Sequence, residues 1–233
     1  MRMKRIKKSL YWLIPLVVVL LLASMALLKY FGHFPLKTYT AAHFGIETAA
    51  SSVDFDGDGI DDYADLLAGA KLEAIRHPRY DGSYYKGGYP PEEIGVCTDV
   101  IWRAFREAGY SLKEMVDWDI AQNPDRYPQI AEPDPNIDFR RVQNLLIFFK
   151  TYAKELTTDI EKIDQWQPGD IVVFNGTKHI GIVSNLRNKK GQPYIIHNGG
   201  QPVREENYLP RAKVTAHFRF DADLIKEDIL FIY

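Results

Sequence analysis

The 233-residue sequence contains a single cysteine, Cys97. One cysteine cannot form an intramolecular disulfide, so in an exported chain this thiol is an intermolecular partner, a free reactive group or a buried side chain. The sequence also lacks internal repeats and low-complexity tracts. The roughly 200 residues that follow the N-terminal segment are enough for one well-buried domain.

The first thirty residues contain no acid. MRMKRIKK carries five basic residues, and residues 10–28, LYWLIPLVVVLLLASMALL, run nineteen positions without a charge. A helix needs about 20 such residues to cross a bilayer, and its basic flank stays in the cytoplasm. The sequence therefore predicts a single-pass membrane anchor over residues 1–30, with the rest of the chain extracytoplasmic. The alternative is a cleaved signal peptide, which has the same layout around a shorter apolar core.

Basic residues are in deficit over the rest of the chain. Six of the 29 Lys and Arg residues lie in residues 1–30, which leaves 23 against 31 acidic residues, a formal net charge of −8. A surface of this charge repels the phosphates of nucleic acids. We therefore expect no nucleic-acid partner.

Helical patterns precede strand patterns along the chain. Apolar residues recur at helical spacing in YADLLAGAKLEAIRH, in the segment that begins at Cys97, in SLKEMVDWDI and in RRVQNLLIFFKTYAKEL. Strand-like segments follow Pro168: DIVVF, HIGIVSN, PYIIHN, VTAHFRF and ILFIY. This order predicts an α+β domain in which helices pack on an antiparallel sheet. The predicted division is an anchor over 1–30, a spacer over 31–50, a calcium-loop-like segment over 51–65 and a folded domain over 66–233.

Cys97 lies in GVCTDVIWRAFREAG, where a loop turns into a helix. The unpaired backbone N–H groups and aligned peptide dipoles of a first helical turn favour a negative charge. We therefore expect the pKa of this thiol to be lowered, which makes the thiolate a usable nucleophile that still needs a base.

Two histidines are candidates for that base. His179 opens the segment HIGIVSN and His197 closes YIIHN, 18 residues later. A hairpin centred near residue 188 places the two roughly opposite each other, and the even separation puts both on the same face of the sheet. The pattern predicts a Cys–His–His site, whereas a lone strand histidine is more often satisfied by the backbone.

The strings GVCTDV, WQPGDIVVF, HIGIVSN and YIIHN together resemble the NlpC-type cell-wall cysteine peptidases, which have a papain-like fold. Over roughly residues 53–220 the chain is also similar to an uncharacterised bacterial family of that superfamily, which shares GVCTDV, NIDFRRV, GDIV, HIGIV and IHN. The resemblance implies Cys97 as nucleophile, His179 as base and His197 as the residue that orients His179. A tyrosine often shapes the site before the cysteine, and Tyr85 in YYKGG is the candidate.

Charged residues near this site have two interpretations each. Asp99 is either an acid that matches the helix dipole or a substrate contact. Asp138, Arg140 and Arg141 form either a salt-bridged helix start or a carboxylate-binding pair. The NlpC-type enzymes usually read D-C-S-G-x at the nucleophile, and this chain reads V-C-T-D-V.

The resemblance implies a membrane-anchored, extracytoplasmic cysteine peptidase or amidase that cleaves an amide bond in peptidoglycan stem peptides. No metal or organic cofactor is needed for this catalysis. The implied partners are peptidoglycan or another cell-wall peptide, and the membrane through the N-terminal helix. The alternative function is a non-catalytic wall-binding or scaffold module of the same fold.

The segment DFDGDGIDDYAD places carboxylates at the spacing of an EF-hand-like calcium loop. The predicted ligands are the side chains of Asp54, Asp56, Asp58, Asp62 and Asp65 and the carbonyl of Ile60. So many carboxylates repel one another without a cation, and we expect a structural calcium ion. The alternative is an acidic turn that caps the following helix.

Overall fold

The computed structural model describes residues 2–32 and 37–233 and divides the chain into two compact units, Met1–Leu36 and Lys37–Tyr233. Residue 1 of the predicted anchor and residues 33–36 of the predicted spacer lie outside the described residues. From residue 37 onward the predicted spacer packs within the second unit. Tyr39 exchanges backbone hydrogen bonds with Arg187, and the carbonyl of Glu47 accepts from the Gln167 side chain at 3.1 Å.

The described part of the first unit is mainly one long helix. Helix α1 covers Arg2–Tyr30, and its window Leu13–Tyr30 has a mean hydropathy of 2.3. An 18-residue helix is about 27 Å long, close to the thickness of the hydrocarbon core. By length and composition this helix can cross a membrane, and an N-terminal signal sequence passes the same test.

Four further helices belong to the second unit. They are α2 (Asp62–Arg76), α3 (Cys97–Glu107), α4 (Leu112–Gln122) and α5 (Val142–Tyr152). Helix α5 ends earlier than its sequence pattern indicates, because Lys154 and Glu155 pair with a strand instead. Helix α2 approaches α3 closely at Gly69, where an added Cβ would lie 2.7 Å from the Ala104 Cα atom.

A six-stranded antiparallel sheet covers the helices and confirms the α+β prediction. Two short parallel strands, β1 (Arg79–Tyr80) and β2 (Ile94–Gly95), lie before it in the chain. The sheet strands are β3 (Lys154–Glu155), β4 (Ile171–Phe174), β5 (His179–Arg187), β6 (Pro193–Ile196), β7 (Glu205–Glu206) and β8 (Val214–Arg219), in the order β3-β8-β4-β5-β6-β7. The prediction of a strand over ILFIY was wrong: only Ile232 forms a bridge there, to Tyr110.

Both faces of the central strands are buried, so β4 reads as a continuous apolar run rather than an alternating one. One face packs on α3 through residues such as Ile101, Phe105 and Ile180. The other face packs on a smaller cluster around Trp166. The contact between α3 and β5 brings the first residue of α3 to the first residues of β5.

Candidate active site

Cys97 is the first residue of α3 and is buried, with 8 % of its surface exposed. Burial raises the pKa of its thiol to about 11, although backbone N–H groups of Ile180, Thr98 and Cys97 itself act in the opposite direction. The expectation of a lowered thiol pKa was wrong, because the helix start offsets only part of the desolvation of the thiolate. At neutral pH the resting thiol is protonated.

Asp99 holds the start of this helix. Its carboxylate accepts hydrogen bonds from the Val96 N–H at 2.7 Å and from the Trp102 indole at 2.7 Å. The Arg140 guanidinium binds both oxygens, at 2.7 and 2.9 Å. All of these groups lie within the fold, so Asp99 acts here as a helix-start acid and positions the loop before Cys97.

Arg140 also connects the predicted site-shaping tyrosine to this network. Its guanidinium lies 5.8 Å from the centre of the Tyr85 ring, and it donates to the Ser83 carbonyl at 3.1 Å. The neighbouring Arg141 lies 3.8 Å from Asp138, a salt-bridged helix start. Tyr80, the last residue of β1, also lies near the thiol: burial raises the pKa of its hydroxyl, and the charge of a Cys97 thiolate raises it further.

His179 and His197 are joined directly. The Nε2 atom of His179 lies 2.8 Å from Nδ1 of His197, with the rings nearly perpendicular. The register differs from a simple opposed pair: Ile182 pairs with Ile196, so Gly181 lies beside His197 and His179 is its diagonal neighbour. A shift of two residues keeps both histidines on one face. Gly181 must be small, because an added Cβ would lie 2.8 Å from the Ile196 carbonyl oxygen.

Glu206 and Gln201 fix the tautomer of His197. Glu206 lies 3.2 Å from Nε2 of His197. The Gln201 amide is oriented by accepting from the Gly199 N–H and donating to the His197 carbonyl, and its nitrogen lies 3.1 Å from Nδ1. Nε2 of His197 therefore carries the proton for Glu206, and Nδ1 accepts from Nε2–H of His179.

This chain of hydrogen bonds leaves the Nδ1 atom of His179 unprotonated and able to accept a proton. Burial, and then the charge of His197, lower the pKa of His179 to about 4. Burial also lowers the pKa of His197, against the effect of Glu206. Burial raises the pKa of Glu206, but hydrogen bonds from His197 and Arg211 outweigh it and keep that pKa below its ordinary value. A carboxylate thus faces two neutral imidazoles at neutral pH.

The thiol and the histidine pair meet at the start of β5. The backbone N–H of Ile180 faces the Cys97 sulphur and favours its thiolate, and among the described residues no hydrogen bond joins the sulphur to the His179 ring. Such contacts are often long in a free enzyme and shorten when substrate binds. Tyr208 packs on both histidine rings, with centroids 5.6 Å from His179 and 4.3 Å from His197.

Asn198 links the two sides of the site. Its buried amide donates to the Gly95 carbonyl at 2.9 Å and to the Pro78 carbonyl at 3.2 Å. It therefore joins the residue after His197 to the loop that precedes Cys97. Sequence reasoning missed Asn198, Gln201, Glu206 and Tyr208; the signal was the density of polar residues directly after His197 in HNGGQPVREENY.

The turn Pro168–Asp170, which belongs to the string WQPGDIVVF, stabilises the fold. Asp170 accepts hydrogen bonds from His217 at 2.9 Å and from Arg219 at 2.7 and 2.8 Å, which ties β4 to β8. Gly169 has a φ of 88°, and an added Cβ would lie 2.6 Å from the Tyr63 carbonyl oxygen. This turn fixes α2 against the sheet and does not contact Cys97.

The acidic loop lies apart from Cys97, beyond the other end of α3. One carboxylate oxygen from each of Asp54, Asp56 and Asp58 lies within 4.8 Å of the others, and all three side chains are exposed. Asp62 is engaged elsewhere: its oxygens accept from the Phe55 N–H at 3.0 Å and the Tyr110 hydroxyl at 2.5 Å. Asp65 is buried in the first turn of α2.

Comparison with known proteins finds a family and one curated relative. The family model described as "Domain of unknown function (DUF1287)" matches residues 67–220, a range that includes the thiol and both histidines. The uncharacterized protein YijF of Escherichia coli (strain K12) is 40% identical over 151 residues, which cover 60% of this chain and 73% of YijF. No solved structure matches. None of these comparisons connects the chain to the NlpC-type peptidases.

Proposed function

This chain belongs to the DUF1287 family, and we propose that it is a membrane-anchored, extracytoplasmic cysteine peptidase or amidase that cleaves an amide bond in peptidoglycan stem peptides. The observation that carries the proposal is the hydrogen-bonded series Glu206–His197–His179, which ends one residue before Ile180, whose backbone N–H faces Cys97. A buried thiol needs no such series if it only fills space. The residue-level resemblance to NlpC-type enzymes supplies the substrate class and the papain-like fold of the proposal.

The proposed reaction is acyl transfer to Cys97. As the sulphur attacks the amide carbonyl, Nδ1 of His179 takes the thiol proton and the carbonyl oxygen becomes an oxyanion. The N–H groups of the first turn of α3 face this oxyanion. The C–N bond then breaks and His179 gives its proton to the leaving amine. Water, deprotonated by His179, hydrolyses the thioester and restores the thiol.

Protonation of His179 is the step that its neighbours assist. When Nδ1 takes a proton, the ring becomes an imidazolium whose Nε2–H already donates to His197. The carboxylate of Glu206, on the far side of His197, stabilises that positive charge. The resting pair is neutral, so proton transfer accompanies the attack instead of preceding it.

The test is digestion of purified peptidoglycan by the full-length chain in detergent, with fragments identified by mass spectrometry. We expect new amine and carboxyl ends from the wild type and none from Cys97→Ala or His179→Gln. Glu205→Gln is the matched control, because Glu205 is on the same strand as Glu206 but pairs with Lys71. Undigested peptidoglycan in the presence of a folded wild-type chain would refute the proposal.

The non-catalytic module remains the second candidate because the thiol is buried and, among the described residues, makes no hydrogen bond to the His179 ring. A wall-binding module would co-sediment with peptidoglycan without releasing fragments. Its binding would also be the same in the wild type and in Cys97→Ala. The digestion and sedimentation assays together separate the two functions.

A further inference from the structure

Arg204 is a buried cation without a matching anion. The residue is 5 % exposed, and the Nη2 atom of its guanidinium donates to the Pro78 carbonyl at 2.7 Å. Among the residues that the structure describes, Nε and Nη1 have no hydrogen-bond partner. A guanidinium stays charged and carries N–H donors on all three of its nitrogens, so much of its bonding capacity is unused inside the domain.

The arginines closest to the site differ from Arg204 in this respect. Each has a carboxylate partner: Arg103 with Glu73, Arg140 with Asp99 and Arg211 with Glu206. Arg187, which is also buried, donates instead to three backbone carbonyls. Among the described residues Arg204 has neither arrangement. A buried charge of this kind is costly, and the cost is removed when an anion binds to it.

The Arg204 guanidinium lies where the two sides of the candidate site meet. The His197 N–H donates to the Arg204 carbonyl at 3.0 Å, so these two residues face each other where β6 and β7 pair. The Pro78 carbonyl, which accepts from Arg204, also accepts from the Asn198 amide. The same amide donates to a carbonyl in the loop that precedes Cys97. The unused donors therefore lie beside the site and not at a remote surface.

We propose that Arg204 is a specificity-determining residue that binds a carboxylate of the peptide substrate through its unpartnered N–H groups. A carboxylate brings a single negative charge and two acceptor oxygens, which match one buried guanidinium better than a doubly charged phosphate does. The chain after residue 30 has a formal net charge of −8, so an acidic peptide needs a local cation in order to bind. The inference rests on the proposed function, since it names a chemical group of the substrate that the same site takes.

Binding requires a local movement, because Nε and Nη1 are closed off from solvent in the resting structure. The segment of residues 199–203, which directly precedes Arg204, begins with two exposed glycines. A hydrogen bond between Nε2 of His77 and the Pro202 carbonyl, 2.9 Å apart, helps to hold this segment. Water can replace such a bond at small net cost. We therefore expect this segment to move when a carboxylate pairs with Arg204.

The experiment measures binding separately from cleavage. Calorimetry uses the full-length Cys97→Ala chain in detergent, with soluble peptidoglycan fragments whose carboxylates are either free or converted to amides. We expect the free form to bind about tenfold more tightly, because the amide removes a charge-assisted hydrogen bond. With Arg204→Met added, the two forms should bind within about twofold of each other. Arg79→Met is the matched control, because it removes an exposed arginine next to Pro78 and should keep the preference.

Unfolding in urea separates a binding role of Arg204 from a structural one. Arg204→Met removes an unpaired buried charge and keeps much of the side-chain length, so its midpoint should equal or exceed that of the wild type. If Arg204→Met does not fold, Arg204→Lys is the test variant. It keeps the charge without the planar fork, so the preference for free carboxylates should fall about threefold. An unchanged preference in a folded Arg204 variant would overturn the inference.

The binding results do not depend on turnover. Digestion of peptidoglycan by the wild type, with equal binding of free and amidated fragments to Cys97→Ala, would leave the proposed function standing and refute the role of Arg204. Preferential binding of the free fragments without digestion would retain the carboxylate site and favour the non-catalytic module. Binding of neither form would count against both the carboxylate site and the substrate class.

Discussion

Alkylation of Cys97 by iodoacetamide reports the resting protonation state of the site, because the chain has no other thiol. Only the thiolate reacts, and burial raises the pKa of Cys97 from 9.0 to about 11. Each pKa unit changes the thiolate fraction about tenfold, so at neutral pH the fraction falls about 100-fold. We expect folded Cys97 to react about 100-fold more slowly than the same thiol in the urea-unfolded chain. The rate should rise about tenfold per pH unit without a plateau below pH 9.

The variant His179→Gln tests whether His179 raises the reactivity of the resting thiol. With a pKa lowered to about 4, His179 is neutral at neutral pH and does not hold the resting thiol as an ion pair. Alkylation of His179→Gln should therefore stay within about twofold of the wild type, even though peptidoglycan digestion is lost. A wild-type plateau below pH 9 that disappears in His179→Gln would refute the reasoning, since it would reveal a thiolate–imidazolium pair.

Three other predictions concern residues around the site and the packing of α3, the helix that carries Cys97. Glu206→Gln should lower the rate of digestion about tenfold with little change in KM, because it replaces a charge-assisted hydrogen bond by a neutral one. Digestion kinetics measure this, and equal rates for Glu206→Gln and the control Glu205→Gln would contradict it. Arg140→Ala should destabilise the fold by about 3–5 kcal/mol, because it leaves the Asp99 carboxylate buried and unpaired; urea unfolding measures this, and a loss under 1 kcal/mol would count against it. Gly69→Ala should cost about 1–3 kcal/mol in the same assay, because the new methyl group meets the Ala104 Cα atom at 2.7 Å; an unchanged midpoint would show that α2 can move.

Periodicity located most of the fold. The spacing of Val100, Ala104 and Ala108 predicts α3, and the apolar runs after Pro168 predict four of the sheet strands. These elements could be predicted because the apolar residues that they bury form a local pattern in the sequence. The end of α5 was missed because Lys154 and Glu155 become a strand only by pairing with β8. Likewise, β7 has just two residues, Glu205 and Glu206, and their pattern is not apolar.

Only part of the candidate site could be predicted from the sequence. The residue types and spacing pointed to Cys97, His179 and His197, and the structure brings the histidines into contact. The actual register differs by two residues from the predicted one, so both histidines still lie on one face; this shift could not be read from the sequence. Glu206 was missed because its role follows from a tertiary contact across β6 and β7.

The position of Glu206 has a consequence for the order in which the site is made. Cys97 precedes Glu206 by about one hundred residues, and Glu206 lies on β7, an edge strand of the sheet. A chain synthesised from its N-terminus therefore carries its thiol long before it carries all residues of the proposed proton relay. The high thiol pKa keeps that early cysteine protonated once α3 is buried. If the proposed reaction is correct, the order of synthesis delays it until the domain is complete.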